Sequence, residues 1–172
     1  MPKRAGGHSA FSTLLLAWCV AFSAVDASAR ERKPPRASEA AVVKRAVDGD
    51  TLELEDGRKV RLLGVDAPEL RHPKAQVETF GAAARDFTQK QVAGQTVRLE
   101  FESRTTDKYG RVLAYVYVAS TGFFLNSELV AQGYAHVESR WPFRHLDEFR
   151  ELERNARTKA LGLWGPVSND QP

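Results

Sequence analysis

The sequence predicts an α+β fold, a five-stranded Greek-key β-barrel carrying three α-helices. Three observations point there. Short segments of period-two alternation are separated by Asp48-Gly49 and Asp56-Gly57, pairs that favour tight hairpins. Two further alternating segments follow a stretch of helical period, and two more helical stretches close the chain. Each helical stretch runs into a glycine, Gly94, Gly133 or Gly162, the residue that most readily ends a helix.

The chain has 172 residues, 42% hydrophobic and 27% charged, a composition suited to a single core. Residues 1–29 read as a secretory signal peptide. Lys3 and Arg4 begin it, 11–25 is apolar, and Ala27-Ser28-Ala29 is a small-x-small cleavage site. The alternative is an uncleaved anchor, for which the apolar stretch is short. Cys19, the one cysteine, lies inside this leader, so the processed chain would have no disulfide. Leu16-Ala17-Trp18-Cys19 has some likeness to a lipidation signal, with the bulky Trp18 against it. Residues 30–39, with Pro34-Pro35, read as a flexible arm, 40–165 as the folded domain and 166–172 as a polar tail. The formal net charge of +3 falls to about +2 without the leader, which permits nucleic-acid binding without arguing for it.

Strands are expected over 41–47, 51–55 and 58–65, with Leu52 and Leu54 facing in. The three make a meander, and consecutive hairpins favour antiparallel pairing among them. Pro68 to Pro73 is a loop. Residues 77–92 form a helix on the spacing of Phe80, Ala83, Ala84, Phe87, Gln91 and Val92. Residues 96–101 and 111–118 are the fourth and fifth strands. A short helix over 124–132 has Asn126 or Ser127 near its start. The last helix, 143–161, carries an apolar stripe of Leu146, Phe149, Leu152, Ala156 and Ala160, with acidic residues early and basic residues late. Leu163 and Trp164 fold back on the core. Five such strands close into a small barrel of the OB-fold kind.

Chemistry concentrates where strands end. Asp50 and Asp66 each sit beside a turn, and two carboxylates with a backbone oxygen, offered by Ala67, are the hard-oxygen set that Ca²⁺ takes. Both aspartates also fit ordinary turn or cap roles. Arg61 and Arg111 bring guanidinium groups that match phosphate bidentately and stay charged; salt bridges to the aspartates are the plainer use for them. Glu69, after Pro68, could deprotonate a water. One constraint stands out. Arg61 and Asp66 are five residues apart, on opposite faces of a regular strand, so the chain near Gly64 must leave strand geometry for both to serve one phosphate.

Val47-Asp48-Gly49-Asp50-Thr51, Arg61-Leu62-Leu63-Gly64-Val65-Asp66-Ala67-Pro68-Glu69 and Thr106-Asp107-Lys108-Tyr109-Gly110-Arg111 resemble, in order, the motifs of the staphylococcal nuclease (thermonuclease) family. So do Arg71-His72-Pro73-Lys74, Leu113-Ala114-Tyr115-Val116-Tyr117 and the Leu163-Trp164 ending; the likeness covers about 41–164. The resemblance implies an OB-fold nuclease that needs Ca²⁺, cuts DNA and RNA at the 5′ P–O bond and leaves 3′-phosphates. It implies Asp50 and Asp66 as calcium carboxylates, Glu69 as the general base, Arg61 and Arg111 on the phosphate, and Lys108 and Tyr109 near a nucleotide phosphate. Two departures matter. Ala67 stands where the family archetype has Thr, and the archetype's tyrosine pair falls at Ser139 and Trp141. Trp141 fits either a base-stacking residue or a core residue. His72, His136 and His145 have no metal-ligand spacing and no assigned chemistry.

The expected protein is a secreted or periplasmic nuclease, monomeric, with nucleic acid of little sequence specificity as its partner and no stable membrane partner. The rival from another class is a non-catalytic OB-fold module that binds nucleic acid or protein, which would not need Asp50, Arg61, Asp66, Glu69 and Arg111 together.

Overall fold

A computed structural model describes residues 37–70 and 75–165. The expected leader with Cys19, residues 30–36 of the expected arm, residues 71–74 and the 166–172 tail lie outside the described residues. Among those described, β1 (Ser38–Ala46), β2 (Thr51–Leu54) and β3 (Lys59–Leu62) are followed by a short β4 (Val65–Asp66) and helix α1 (Ala75–Val92). Then come β5 (Thr96–Glu100), β6 (Val112–Val118), α2 (Leu125–Ala131), β7 (His136–Val137), α3 (Leu146–Thr158) and a 3₁₀ turn at Gly162–Trp164.

Five strands close into a barrel in the order β1-β2-β3-β6-β5, and β4 and β7 form a separate two-stranded ribbon. Alternate residues of the barrel strands point inward: Val43, Leu52, Leu54, Val60, Leu62, Val97, Leu99, Ala114 and Val116 are buried. Leu125, Leu129 and Val130 of α2 and Phe149 of α3 join the same cluster. At about 25 cal/mol for each Å² of apolar surface removed from water, this burial is the main favourable term in folding. A register shift between Val43 and Arg45 bends β1, which pairs with β2 on one side and β5 on the other.

The architecture is the expected one, a five-stranded OB-type barrel with three helices, with corrections inside it. β1, β2 and β3 form the expected antiparallel meander, whereas β3 and β6 run parallel, Arg61 opposite Leu113, so the barrel as a whole is mixed. The pairing closes the sheet between strands distant in sequence, which hairpin signals do not report. The single strand expected over 58–65 is two, broken at Leu63 and Gly64. β1 begins at Ser38, so Ser38 and Glu39 of the expected arm are ladder residues, opposite Glu100 and Leu99. The last helix is shorter at both ends. Its C-terminus turns at Ala160, which takes a left-handed φ of 50°, so Ala160 is exposed and leaves the stripe. Leu161 then donates back to the Ala156 carbonyl at 3.0 Å.

Asn126 does more than start a helix. Its side chain is fully buried. Its Oδ1 accepts from the Val116 amide at 2.9 Å, and its Nδ2 donates to the Leu63 and Ala114 carbonyls at 3.0 and 3.3 Å. One amide thus ties α2 to β6 and to Leu63, the residue just past the end of β3. Asn126→Ala would take the side-chain partner from the Val116 amide and the Leu63 carbonyl, while the Ala114 carbonyl keeps the Leu63 amide. It should lower unfolding stability by about 2–4 kcal/mol with an unchanged urea m-value. An unchanged urea midpoint would show that this amide does not hold the barrel.

Candidate active site

The acids sit on two segments that α1 presses together. The 48–50 turn joins β1 to β2, its Asp50 amide donating to the Asp48 carboxylate at 3.1 Å. A side chain at Gly49 would have its Cβ 2.6 Å from that of Ala67 and 2.7 Å from that of Ala84. One Cβ at Gly81 would lie 2.6 Å from the Glu69 carbonyl oxygen and 2.8 Å from that of Pro68. The Thr88 hydroxyl donates to the Gly49 carbonyl at 2.7 Å, and the Gln89 side-chain oxygen accepts from the Ala46 amide at 2.7 Å. The inner face of α1 therefore runs Gly81, Ala84, Thr88, Val92, all buried, whereas Ala83 of the expected stripe is exposed. Small and hydroxyl groups there let the helix approach two loops closely.

Asp50 is 5% exposed. Its Oδ2 accepts from the Ala67 amide at 2.7 Å and pairs with Arg61 Nη1, while its Oδ1 accepts from the Thr51 hydroxyl at 3.1 Å. Arg61 Nη2 donates to Asp66 Oδ1 at 3.0 Å. One guanidinium thus spans both aspartates. The five-residue step that separates Arg61 from Asp66 is resolved at Gly64. There φ is +75°, a left-handed value costly to residues with a Cβ. The chain turns out of the barrel into β4, which pairs with β7 as Asp66 opposite His136. An added Cβ at Gly64 would come 2.5 Å from the Phe143 ring.

Arg111 arrives through the parallel pairing. Leu113 lies opposite Arg61, and Arg111, two residues earlier, shares its face. Both arginines therefore lie on the outer face of the barrel, away from Leu62 and Ala114. Asp107 fixes the approach. Its Oδ2 accepts from Arg111 Nε at 2.7 Å, and its Oδ1 accepts from the Tyr109 and Arg111 amides at 2.8 and 3.0 Å. Tyr109 is 71% exposed, with the Lys108 ammonium 4.9 Å and the Arg111 guanidinium 5.4 Å from its ring centre. Glu69 is exposed in the loop after β4 and forms no ion pair among the described residues.

The electrostatics follow from burial. Desolvation pushes the Asp48 carboxyl above its ordinary range, against the pull of Arg61 and Arg111. Desolvation also draws the Arg61 guanidinium below its usual value, with Asp66 and Asp48 opposing and the Arg111 charge adding to the fall. For Asp107 burial acts upward, but the Arg111 side chain and the two amides outweigh it, and the carboxyl sits below its ordinary value.

Among the described residues no three His, Cys, Asp or Glu side chains converge as metal ligands. The acids that do meet are Asp50 and Asp66, through Arg61. That donor set is oxygen only, with no imidazole or thiolate, and it fits a hard cation completed by main-chain, water or substrate oxygens. His136 instead stands 3.7 Å from Glu153, and His145 lies against Tyr115, Phe124 and Phe149. Trp141 is 68% exposed, which overturns its alternative as a core residue. Two residues the sequence did not single out also lie here, Glu138 and Arg140, on the segment that follows β7. Nothing in their spacing marks them, because β7 is two residues long and pairs only with β4.

A small closed barrel with paired acids and paired arginines on one outer edge is equipped to handle a phosphate ester. The protein-family model described as "Staphylococcal nuclease homologue" matches residues 59–166. A thermonuclease of Staphylococcus intermedius is 40% identical over 132 residues, 73% of this chain and 76% of the relative. A thermonuclease of Staphylococcus hyicus is 33% identical over 124 residues, 70% and 72% of the two chains. The endonuclease YncB of Bacillus subtilis is 37% identical over 134 residues, 73% and 63%. The chain belongs to the staphylococcal nuclease family. It is a nuclease, a hydrolase, rather than a binding module alone.

Two measurements test how the site is built. Gly64→Ala should cost about 2–3 kcal/mol in urea unfolding, combining a left-handed φ with a displaced Phe143 ring. Gly57→Ala, at φ +85° with nothing near its Cβ, should cost only the backbone share, about 1–2 kcal/mol; equal losses would remove the role given to Phe143. Asp107 has a folded pKa below its unfolded one, so its stabilisation is present above the unfolded value and lost as pH falls through the folded value. Asp107→Asn should therefore lower the urea midpoint at neutral pH, with the gap closing below about pH 4. A gap that persists in acid would place the effect elsewhere.

Proposed function

We propose that this nuclease hydrolyses DNA and RNA with Ca²⁺, breaking the 5′ P–O bond and leaving 3′-phosphates. The observation that carries the reading is the Arg61 guanidinium set between Asp50 and Asp66, on the same barrel face as Arg111. Asp50, Asp66 and the Ala67 carbonyl would hold the ion, which when bound supplies positive charge beside the scissile phosphate. Arg61 and Arg111 hold the non-bridging oxygens and offset the charge that builds as phosphorus is attacked. Glu69 takes the proton from the attacking water. The electron pair of the broken bond stays on the 5′ oxygen, which is then protonated. Lys108 and Tyr109 flank an adjacent nucleotide phosphate. The exposed ring of Trp141 stacks on a base, a contact that needs only a π face and carries little sequence information. The basic, apolar and small-x-small pattern of residues 1–29 supports export to the periplasm or the medium with cleavage near Arg30, which mass spectrometry of the mature N-terminus tests against lipidation at Cys19; the mature protein is proposed to act as a monomer.

Digestion of single-stranded DNA with Ca²⁺ and with chelator decides the metal requirement: cleavage should stop in chelator and return with calcium. Cleavage that continues without divalent ions would sink it. Glu69→Gln should lower turnover about 100-fold or more, and Arg111→Lys, which keeps the charge but loses the fork, about 100-fold. Near-unchanged turnover in either variant would remove the role assigned to that residue.

A further inference from the structure

The segment after β7 lies along the edge of the site. β7 pairs with β4 as Val137 opposite Val65 and His136 opposite Asp66, and the pairing runs on through the Glu138 amide, which donates to the Gly64 carbonyl at 3.1 Å. Residues 138–141 therefore leave the ribbon beside the turn that aligns Arg61 with Asp66. Ser139, Arg140 and Trp141 are exposed there, Arg140 with 78% of its side chain in solvent and Trp141 beside it.

The Arg140 guanidinium is held in one orientation. Its Nε lies 3.0 and 3.1 Å from the two Glu138 carboxylate oxygens, its Nη2 donates at 2.5 Å, and its own amide donates to Glu138 Oε1 at 3.0 Å. This fork uses the Nε and Nη2 side. The Nη1 group has no hydrogen bond or ion pair among the described residues. The pair also feels the site: Glu138 lies in the field of Arg61, and Arg140 in that of Asp66. A surface pair of this kind contributes little to stability, so its worth lies in where it places a cation. Beside Arg111 the same pairing recurs, with exposed Tyr109 next to Lys108. Cations beside exposed aromatic rings are how proteins track a single-stranded backbone.

We infer that Arg140 is a further substrate-binding residue of this nuclease, one that contacts a backbone phosphate outside the scissile one on the Trp141 side and is oriented for it by Glu138. The inference rests on the Arg61–Arg111 reading of the scissile phosphate. It is specific to position 140, since the plainer use of Arg140 is a surface pair with Glu138 alone.

The test is fluorescence anisotropy of the full chain with a labelled phosphorothioate oligothymidylate, which keeps the phosphate charge and resists cleavage, with Ca²⁺ present over a range of NaCl. Arg140→Gln should weaken binding about threefold to tenfold and reduce the slope of log K against log salt by about 0.7, one phosphate contact on a single strand. Arg140→Lys keeps the charge and should keep the slope. Arg154→Gln, which removes an exposed arginine paired with Glu151 on α3, is the control and should change neither. An Arg140→Gln curve that superimposes on that of Arg154→Gln, or an Arg140→Lys slope as low as that of Arg140→Gln, overturns the inference. Arg111→Gln reports separately on the scissile-phosphate reading, because binding that ignores Arg111 would sink that reading whatever Arg140 does.

Discussion

The site depends on a left-handed turn at Gly64. Arg61 belongs to the outer face of β3, and a strand continued to Asp66 would carry the carboxylate to the inner face, into the apolar core. At φ +75° the chain instead leaves the barrel, and β4 finds a new partner in β7. Three groups hold that exit in place. Asn126 binds the Leu63 carbonyl, Phe143 fills the space above Gly64, and Glu138 takes the Gly64 carbonyl. Each comes from a different element, so α2, the segment before α3 and the β7 edge converge on the Leu63–Gly64 turn. The barrel supplies a rigid platform, and the departure from it supplies the convergence of Arg61, Asp50 and Asp66.

The other half of the geometry comes from α1. A glycine inside a helix costs about 1 kcal/mol against alanine, yet Gly81 sits mid-helix. Its lack of a side chain lets the Pro68 and Glu69 carbonyls lie against the helix, and Gly49 does the reciprocal service toward Ala84 and Ala67. The helix therefore clamps the loop that carries Asp66 and Glu69 onto the turn that carries Asp50. Local stability is given up for a close approach that an ordinary apolar face would forbid. Thr88 completes the arrangement, since a buried hydroxyl needs a partner and the Gly49 carbonyl provides one.

Much of this was legible in the sequence. Period-two runs and Asp-Gly turns place the strands because a half-buried strand must alternate and a tight turn favours glycine, at Gly57 for its φ of +85° and at Gly49 for the close approach of Ala67 and Ala84. The need for a break near Gly64 follows from side-chain parity alone. What was not legible is long-range. The β3–β6 parallel pairing, which puts Arg111 on the face of Arg61, joins segments some fifty residues apart and leaves no local signature. Strand β7 is two residues long and exists only because β4 leaves the barrel, so Glu138 and Arg140 could not be placed. Asn126 reads as a helix-start residue because its type favours that role, whereas burial recruits its amide to three backbone groups of other elements. Gly81 and Thr88 break the apolar period of α1 where that helix packs closest.

Charge balance explains why Arg61 sits where it does. Asp50 is almost wholly buried, and an ionised carboxylate there without a cation or sufficient donors would be far too costly to keep. The Ala67 amide and the Thr51 hydroxyl are neutral donors; Arg61 is the charge that offsets Asp50. Yet burial also penalises the guanidinium, and Arg111 adds repulsion, so Arg61 is tolerated only because Asp50, Asp66 and Asp48 surround it. Neither side of this cluster is stable without the other. Such mutual dependence makes the acids and the arginine a single unit, and its outer side, where Asp66 is half-exposed, opens toward solvent with Arg111 alongside. A ligand that carries its own negative charge could share Arg61 there if a cation took up the demand of the carboxylates, so the charges that hold the cluster together are the same ones that a phosphate and the proposed metal would redistribute.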